Sequence, residues 1–283
     1  MTPWWCHAMR LLSGSARLAG VTGWPVAHSR SPRLHGVWLN RHDIDGAYLP
    51  LPISPADLAH VVPALAKAGF AGLNVTIPHK ISVMALCDRI DPRAARIGAV
   101  NTLVFTSTGI EGFNTDSYGF LANLRAHGVN PAAGPALILG AGGAARAIAA
   151  ALQDEGAPVT FCNRTERNAA ALAAALPPGN VLPWEYRSAA LGDYALLVNT
   201  TSLGMVHHEP LDISLEAANP ALAVADIIYA PLETELLKAA RARGLTAVEG
   251  LGMLLHQAVP GFEAWFGVTP VVDDELYRIV SGG

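Results

Sequence analysis

Short apolar runs alternate with amphipathic stretches along almost the whole of this 283-residue chain. Runs at 18–21, 47–53, 72–76 and 101–105 have the length of strands, and helical patterns open between them near Ser31, Pro55 and Pro78. A second series follows, with strands at 136–139, 159–163, 195–199, 223–228 and 246–249 and helices such as 144–153 and 167–176. Strands alternating with helices predict an α/β protein with largely parallel sheets. The chain exceeds the usual length of one domain, so two domains are expected. The crossing between them falls near Asp116, where a helix over 118–127 would bridge the two.

Polar residues gather where several of the strands end. In Asn74-Val75-Thr76-Ile77-Pro78-His79-Lys80 the strand period of two turns Asn74 and Thr76 the same way, and Pro78 suits the first turn of a following helix. Lys80 then stands at a strand-to-helix junction, where it is either a reactive ammonium or a surface lysine opening a helix. In Ser29-Arg30-Ser31-Pro32, Ser31 reads as an N-cap and Pro32 as the first helical residue. Capping accounts for these residues, but hydroxyls beside a helix N-terminus also suit a carboxylate. Asp116, in Asn114-Thr115-Asp116, is on local evidence equally a functional acid and a plain N-cap.

A stronger pattern follows the apolar run at 136–139. Gly140-Ala141-Gly142-Gly143-Ala144-Ala145-Arg146 is a G-x-G-x-x-A fingerprint in the order strand, turn, helix. Gly140 permits the tight turn, Gly142 lets the backbone approach a pyrophosphate, and Ala145 permits close helix–strand packing. NAD-binding chains usually place an acid at the end of the second strand for the ribose 2′-hydroxyl. Here that place holds Asn163-Arg164-Thr165, whose guanidinium suits a 2′-phosphate with neutral donors on either side. NADP is therefore expected rather than NAD, and Glu166 is expected to point away or cap the next helix. Trp24, Trp38, Trp184 and Trp265 read as packing residues rather than a stacking platform.

Composition narrows the function classes. The net charge is −4 with scattered basic residues, which argues against a nucleic-acid partner. Three cysteines, Cys6, Cys87 and Cys162, are far apart and form no C-x-x-C pair, so neither a disulfide framework nor a zinc site is expected. His207-His208-Glu209 lacks the spacing of a metal site, and no metal is expected. No apolar segment approaches the roughly 20 residues that span a bilayer, so no membrane partner is expected. Residues 1–10 do not have the pattern of a signal peptide, and a cytoplasmic location fits best. Whether the physiological start is Met1 or Met9 stays open, and a homodimer is compatible with a sequence that sets no oligomeric state.

Taken together, the motifs at 28–32, 74–80, 98–102, 114–116 and 249–253 resemble the shikimate dehydrogenase family, over about 21–267. The resemblance implies an N-terminal α/β substrate-binding domain (1–115 plus 250–283) and a Rossmann-like doubly wound NADP-binding domain (116–249), with C-terminal helices returning to the first. It implies reversible, NADP-dependent reduction of 3-dehydroshikimate to shikimate, a small-molecule substrate, in the pathway to aromatic amino acids. Lys80 becomes the proton donor and Asp116 its positioning partner, which also accepts a ring hydroxyl. Ser29 and Ser31 would hold the substrate carboxylate with Tyr229 nearby, while Asn74, Thr76, Asn101 and Gln257 would hold ring hydroxyls. Thr200, Ser202, Met205, Ile227, Gly250 and Met253 join the fingerprint residues on the cofactor side. One departure is Gly36, where many members carry asparagine. A quinate/shikimate dehydrogenase, a catalytically silent NADP-binding paralogue and a tetrahydrofolate-type dehydrogenase are the alternatives.

Overall fold

Backbone pairing sorts the strands into two six-stranded sheets in a computed structural model that describes residues 11–282. Residues 1–10, with Cys6 and the candidate starts, lie outside the described residues. The first sheet draws on β1 (Arg17–Gly23), α1 (Ser31–Arg41), β2 (Gly46–Pro52), α2 (Leu58–Lys67), β3 (Phe70–Val75), β4 (Arg89–Ile90), α3 (Pro92–Ile97), β5 (Thr102–Thr106) and β6 (Gly109–Phe113). Its order is β2-β1-β3-β5-β6-β4. Pairing is parallel among β1, β2 and β3 but antiparallel from β3 to β5 and from β5 to β6. The expected parallel sheet is thus mixed here, because β5 and β6 form a hairpin rather than a helical crossover.

From α4 (Asp116–Ala126) the chain enters the second sheet through β7 (Ala136–Leu139), α5 (Gly143–Asp154), β8 (Val159–Cys162), α6 (Glu166–Ala175) and β9 (Gly179–Val181). It continues through β10 (Leu196–Asn199), β11 (Ala223–Asp226), α7 (Glu235–Ala242) and β12 (Thr246–Val248), then ends in α8 (Gly250–Phe266) and α9 (Asp274–Ser281). Every pairing in the order β12-β11-β10-β7-β8-β9 is parallel. Strand order reverses between β7 and β10, which opens a crevice at the carboxyl ends of the strands. Residues 136–139 and 196–199 are buried throughout, as a sheet covered on both faces requires.

Local signals were partly displaced by tertiary structure. Ser31 is not the cap of α1; Arg30 holds that position, leaving the Ser31 hydroxyl free of capping. The helix expected from Pro55 begins at Leu58. Pro78 does not open a helix either: the Ile77–Pro78 peptide is cis, turns follow, and a short 3₁₀ helix starts only at Ser82. Gly36 faces open space, so its missing side chain disturbs neither serine.

Helix α8 returns to the first sheet, where Leu251, Leu255, Phe262 and Trp265 share a core with Ala19, Val21, Leu34 and Trp38. The Trp265 indole N–H donates to the Leu103 carbonyl at 2.9 Å. On its way α8 crosses α4 at close range. A Cβ on Gly119 would stand 2.5 Å from Gln257 Cβ, and one on Gly252 would stand 1.9 Å from Asn123 Oδ1. A side chain on Gly119 would run into the α8 backbone at Gln257 and force the helices apart, and one on Gly252 would displace the Asn123 amide.

Just beyond that crossing, His127 Nε2 meets Glu249 Oε2 at 3.0 Å, and Asn123 Nδ2 donates to the Glu249 carbonyl at 2.8 Å. The hydrogen bond to Glu249 raises the His127 pKa above 6.5, against opposing effects of burial and of Arg241. Burial pushes Glu249 up, but His127 and Tyr277 together hold it below 4.5. A raised histidine stabilises the fold below its unfolded value and loses that contribution as pH rises through the folded one; a lowered carboxylate does so above its unfolded value and loses it as pH falls. The pair therefore contributes most between pH 4.5 and 6.5. The melting temperature of His127→Gln should fall furthest below wild type near about pH 5.5 and approach it near about pH 9. An offset independent of pH would contradict this.

Candidate active site

Lys80 is delivered by the segment that leaves β3. Its carbonyl accepts from Val100 N at 2.8 Å, and Val75 N donates to the Asn101 carbonyl at 2.7 Å, so the two motif segments are clamped side by side. Lys80 Nζ then donates to Asp116 Oδ2 at 2.5 Å, with side-chain exposures of 20% and 8%. Asp116 is the first residue of α4, where the positive helix end favours a carboxylate. Its other oxygen, Oδ1, accepts from Asn101 Nδ2 at 2.8 Å. An ammonium, a carboxylate and an amide are thus joined, and both carboxylate oxygens are satisfied.

Around this pair lies a network of neutral groups. Asn101 Oδ1 accepts from Thr115 N at 2.8 Å, and Gln257 Oε1 accepts from the Thr115 hydroxyl at 3.4 Å. Asn74 Nδ2 donates to Thr102 Oγ1 at 3.2 Å, while Asn74 Oδ1 accepts from the Tyr48 hydroxyl at 2.6 Å. Burial pushes the Tyr48 phenol well above its ordinary value, against a hydrogen bond from Ser31. Tyr48 is therefore a neutral donor touching both the Ser31 and Asn74 sides of the site. His35 stacks on it with ring centroids 3.8 Å apart, and desolvation brings the imidazole down to about 3, so this ring too is uncharged. Ser31 is buried and Ser29 half-buried, with Ser31 N donating to Ser29 Oγ at 3.3 Å. The Arg30 guanidinium lies 5.6 Å from the centre of the Tyr229 ring, which brings Tyr229 beside the serine segment. Thr76 is half-buried, with its N–H donating to the Thr22 carbonyl at 2.9 Å.

A cavity of about 240 Å³ opens at the carboxyl ends of the second sheet, lined by Gly140, Ala141, Gly142, Asn163, Arg164, Thr200 and Ser202, with Trp184, Thr201 and Leu203. Gly140 has φ +111°, and a Cβ there would lie 2.5 Å from Thr200 Oγ1, so this turn requires glycine. A Cβ on Gly142 would meet nothing within 4 Å: it would project into open space, where a phosphate could approach the backbone. No acid stands among the lining residues. These features fit a dinucleotide carrying a 2′-phosphate. Gly143 links the cavity to the lysine, since a Cβ there would sit 3.9 Å from Lys80 Cδ.

The comparisons with known proteins agree with this geometry. Residues 21–103 match the family description "Shikimate dehydrogenase substrate binding domain", and residues 250–273 match "Shikimate 5'-dehydrogenase C-terminal domain". A "Shikimate dehydrogenase (NADP(+))" of Acidiphilium cryptum is 73% identical over 271 residues, 96% of this chain and 98% of the relative. The chain belongs to the shikimate dehydrogenase family. Among solved members, the Thermus thermophilus shikimate 5-dehydrogenase in complex with NADP(H) and shikimate is 37% identical with a TM-score of 0.85, covering 94% of this chain and 98% of that one. The Aquifex aeolicus shikimate dehydrogenase is 35% identical with a TM-score of 0.87, covering 95% of this chain and 99% of its own. Both support the two-domain, Rossmann-like α/β fold.

Of the residues expected on the cofactor side, Gly143, Ala144, Thr165, Met205, Ile227, Gly250 and Met253 are not among those that line the cavity. Thr165 holds the N-cap position of α6, with Glu166 as the first helical residue. Met205 is exposed on the loop after β10. A Cβ on Gly250 would lie 2.3 Å from the Ile227 carbonyl oxygen, so the end of β11 and the start of α8 touch. Met253 packs into the core beneath α5 with Ala145. Tyr48, Thr102 and Thr115 were not singled out in the sequence. Thr115 lay inside a recognised motif, whereas Tyr48 gave no local signal beyond a strand tyrosine. Among the described residues, no group of three His, Cys, Asp or Glu side chains is placed to hold a metal ion.

Proposed function

We propose that this chain catalyses the reversible, NADP-dependent reduction of 3-dehydroshikimate to shikimate, with Lys80 as proton donor and Asp116 as its positioning partner. The observation that carries this reading is the 2.5 Å contact between Lys80 Nζ and Asp116 Oδ2, directly beside the glycine-rich turn. We read residues 1–115 with 250–283 as the substrate-binding domain and 116–249 as the NADP-binding domain, with the site in the cleft between them. A cytoplasmic location suits the free thiols of Cys87 and Cys162.

When bound, NADPH supplies the hydride that reaches the carbonyl carbon. Lys80 Nζ gives a proton to the oxygen of that carbonyl, and takes it back from the hydroxyl in the reverse direction. Asp116 holds the ammonium in position through Oδ2 and is itself fixed through Oδ1 by Asn101. Ser29, Ser31 and Tyr229 receive the substrate carboxylate, and Asn74, Thr76, Asn101 and Gln257 receive ring hydroxyls. Each neutral hydrogen bond carries discrimination of about 1–3 kcal/mol, because a substrate lacking the matching group leaves a buried polar atom unpaired. On the cofactor side, Arg164, flanked by Asn163 and Thr165, reads the 2′-phosphate. Arg164 Nη1 lies 3.9 Å from Glu209 Oε2, an exposed pair weak enough for a phosphate to displace.

For Lys80→Ala, kcat should fall by about two to four orders of magnitude with a much smaller change in KM, in a protein whose circular dichroism is unchanged. Unaltered turnover would remove Lys80 from the chemistry. Arg164→Ala should weaken NADPH binding while leaving NADH binding nearly untouched, as measured by titration calorimetry. Equal losses for both dinucleotides would show that Arg164 does not read the 2′-phosphate. Initial rates with quinate beside shikimate distinguish the broader quinate/shikimate reading, and NADPH binding without turnover of either would point to a silent paralogue.

A further inference from the structure

Trp184 packs in part against the core cluster that holds Leu139, Cys162 and Leu191, as expected of a packing residue, but it is not enclosed there. It opens a short 3₁₀ turn, Trp184–Tyr186, immediately after β9, and is only partly buried, whereas Trp38 and Trp265 are 0% and 1% exposed. Leu182 N still donates to the Phe161 carbonyl at 2.9 Å, so the chain stays paired with β8 to the carboxyl edge of the sheet. That edge is where Asn163 and Arg164 emerge, and Trp184 borders the same cavity.

The indole is also braced. The Arg187 guanidinium lies 4.6 Å from the ring centre, covering one face. Arg187 is not available to a ligand. Its Nη1 donates to the Trp184 carbonyl at 2.8 Å, its Nε donates to the Asp212 carbonyl at 2.8 Å, and its Nη2 donates to the Asp212 carboxylate at 3.1 Å. With one face held by Arg187 and part of the ring against the core, its remaining surface borders a cavity whose other walls are glycine backbone, amide, guanidinium and hydroxyls together with Ala141 and Leu203. A fixed aromatic surface in a largely polar pocket suits a flat heteroaromatic ring. Sheet order decides which ring. β8 and β9 lie on the side of β7 away from β10, and in doubly wound folds the first strands past the fingerprint carry the adenosine half of a dinucleotide.

We propose that Trp184, backed by Arg187, is the wall against which the adenine ring of the cofactor stacks. This rests on the reading of the cavity as the NADP groove, and adenosine 2′,5′-bisphosphate, which carries the adenine and the 2′-phosphate without nicotinamide, tests the two separately. Titrated into the full-length protein, it should quench indole fluorescence. Trp184→Leu should bind it about tenfold more weakly, the loss expected for one base–aromatic contact. Trp184→Phe should retain affinity within about threefold but lose the quench, since the ring persists and the indole does not. Undiminished quenching in Trp184→Phe overturns the assignment, and this holds even if the leucine variant does not fold. So does wild-type affinity in Trp184→Leu, if Arg164→Ala binds the probe more weakly than wild type. Should Arg164→Ala also bind it as wild type does, the groove reading fails, and the Trp184 assignment with it.

Discussion

The contact between Lys80 and Asp116 sets a constraint that the surrounding structure must meet. A charge pair with so little exposure is costly if either partner is misplaced, because the survivor keeps its desolvation penalty without compensation. The two residues come from different parts of the first half of the chain: one follows β3, the other opens α4. They meet because Val100 N is bonded to the Lys80 carbonyl and because Asn101 holds the second oxygen of Asp116. Helix α4 is held in turn by its close crossing with α8, where Gly119 and Gly252 leave no room for side chains. The ion pair is therefore tied through α4 to the C-terminal return of the chain.

A division of labour follows from the charges. Apart from Lys80 and Asp116, the hydrogen-bonding groups in the network around the pair are amides and hydroxyls, and Tyr48 and His35 beside them are held uncharged by burial. Such a pocket selects by the number and direction of hydrogen bonds rather than by net attraction, which suits a small polyhydroxylated acid. The cavity at the second sheet differs: it combines exposed backbone with a guanidinium, the complement of phosphates. Gly143 stands between the two, close enough to Lys80 for van der Waals contact if it carried a Cβ.

Much of this was legible in the sequence wherever local pattern and tertiary role coincide. The second sheet was read nearly strand for strand, because buried parallel strands are continuous apolar runs and the glycine turn has a mechanical purpose at Gly140 and Gly142. Lys80, Asn101 and Asp116 lie in motifs legible in the sequence, although their meeting is not. Structure departs from local pattern where a local signal is compatible with more than one outcome. Ser31-Pro32 looked like a capped helix start, but the helix begins one residue earlier than its serine cap would require. Pro78 looked like a first helical residue, but its peptide bond is cis. The hairpin of β5 and β6 reversed two pairings of the first sheet, a matter of strand order that alternation does not encode. Tyr48 lies beyond reach for another reason: its place in the site depends on Asn74 and Ser31, which come near it only in the fold.

The most direct measurement is a crystal structure of the complex with shikimate and NADP⁺. The account predicts that the hydroxyl to be oxidised lies within hydrogen-bonding distance of both Lys80 Nζ and the Asp116 carboxylate, with the nicotinamide facing its carbon. Shikimate bound with that hydroxyl turned away from the pair, or held outside the cleft between the two sheets, would contradict it.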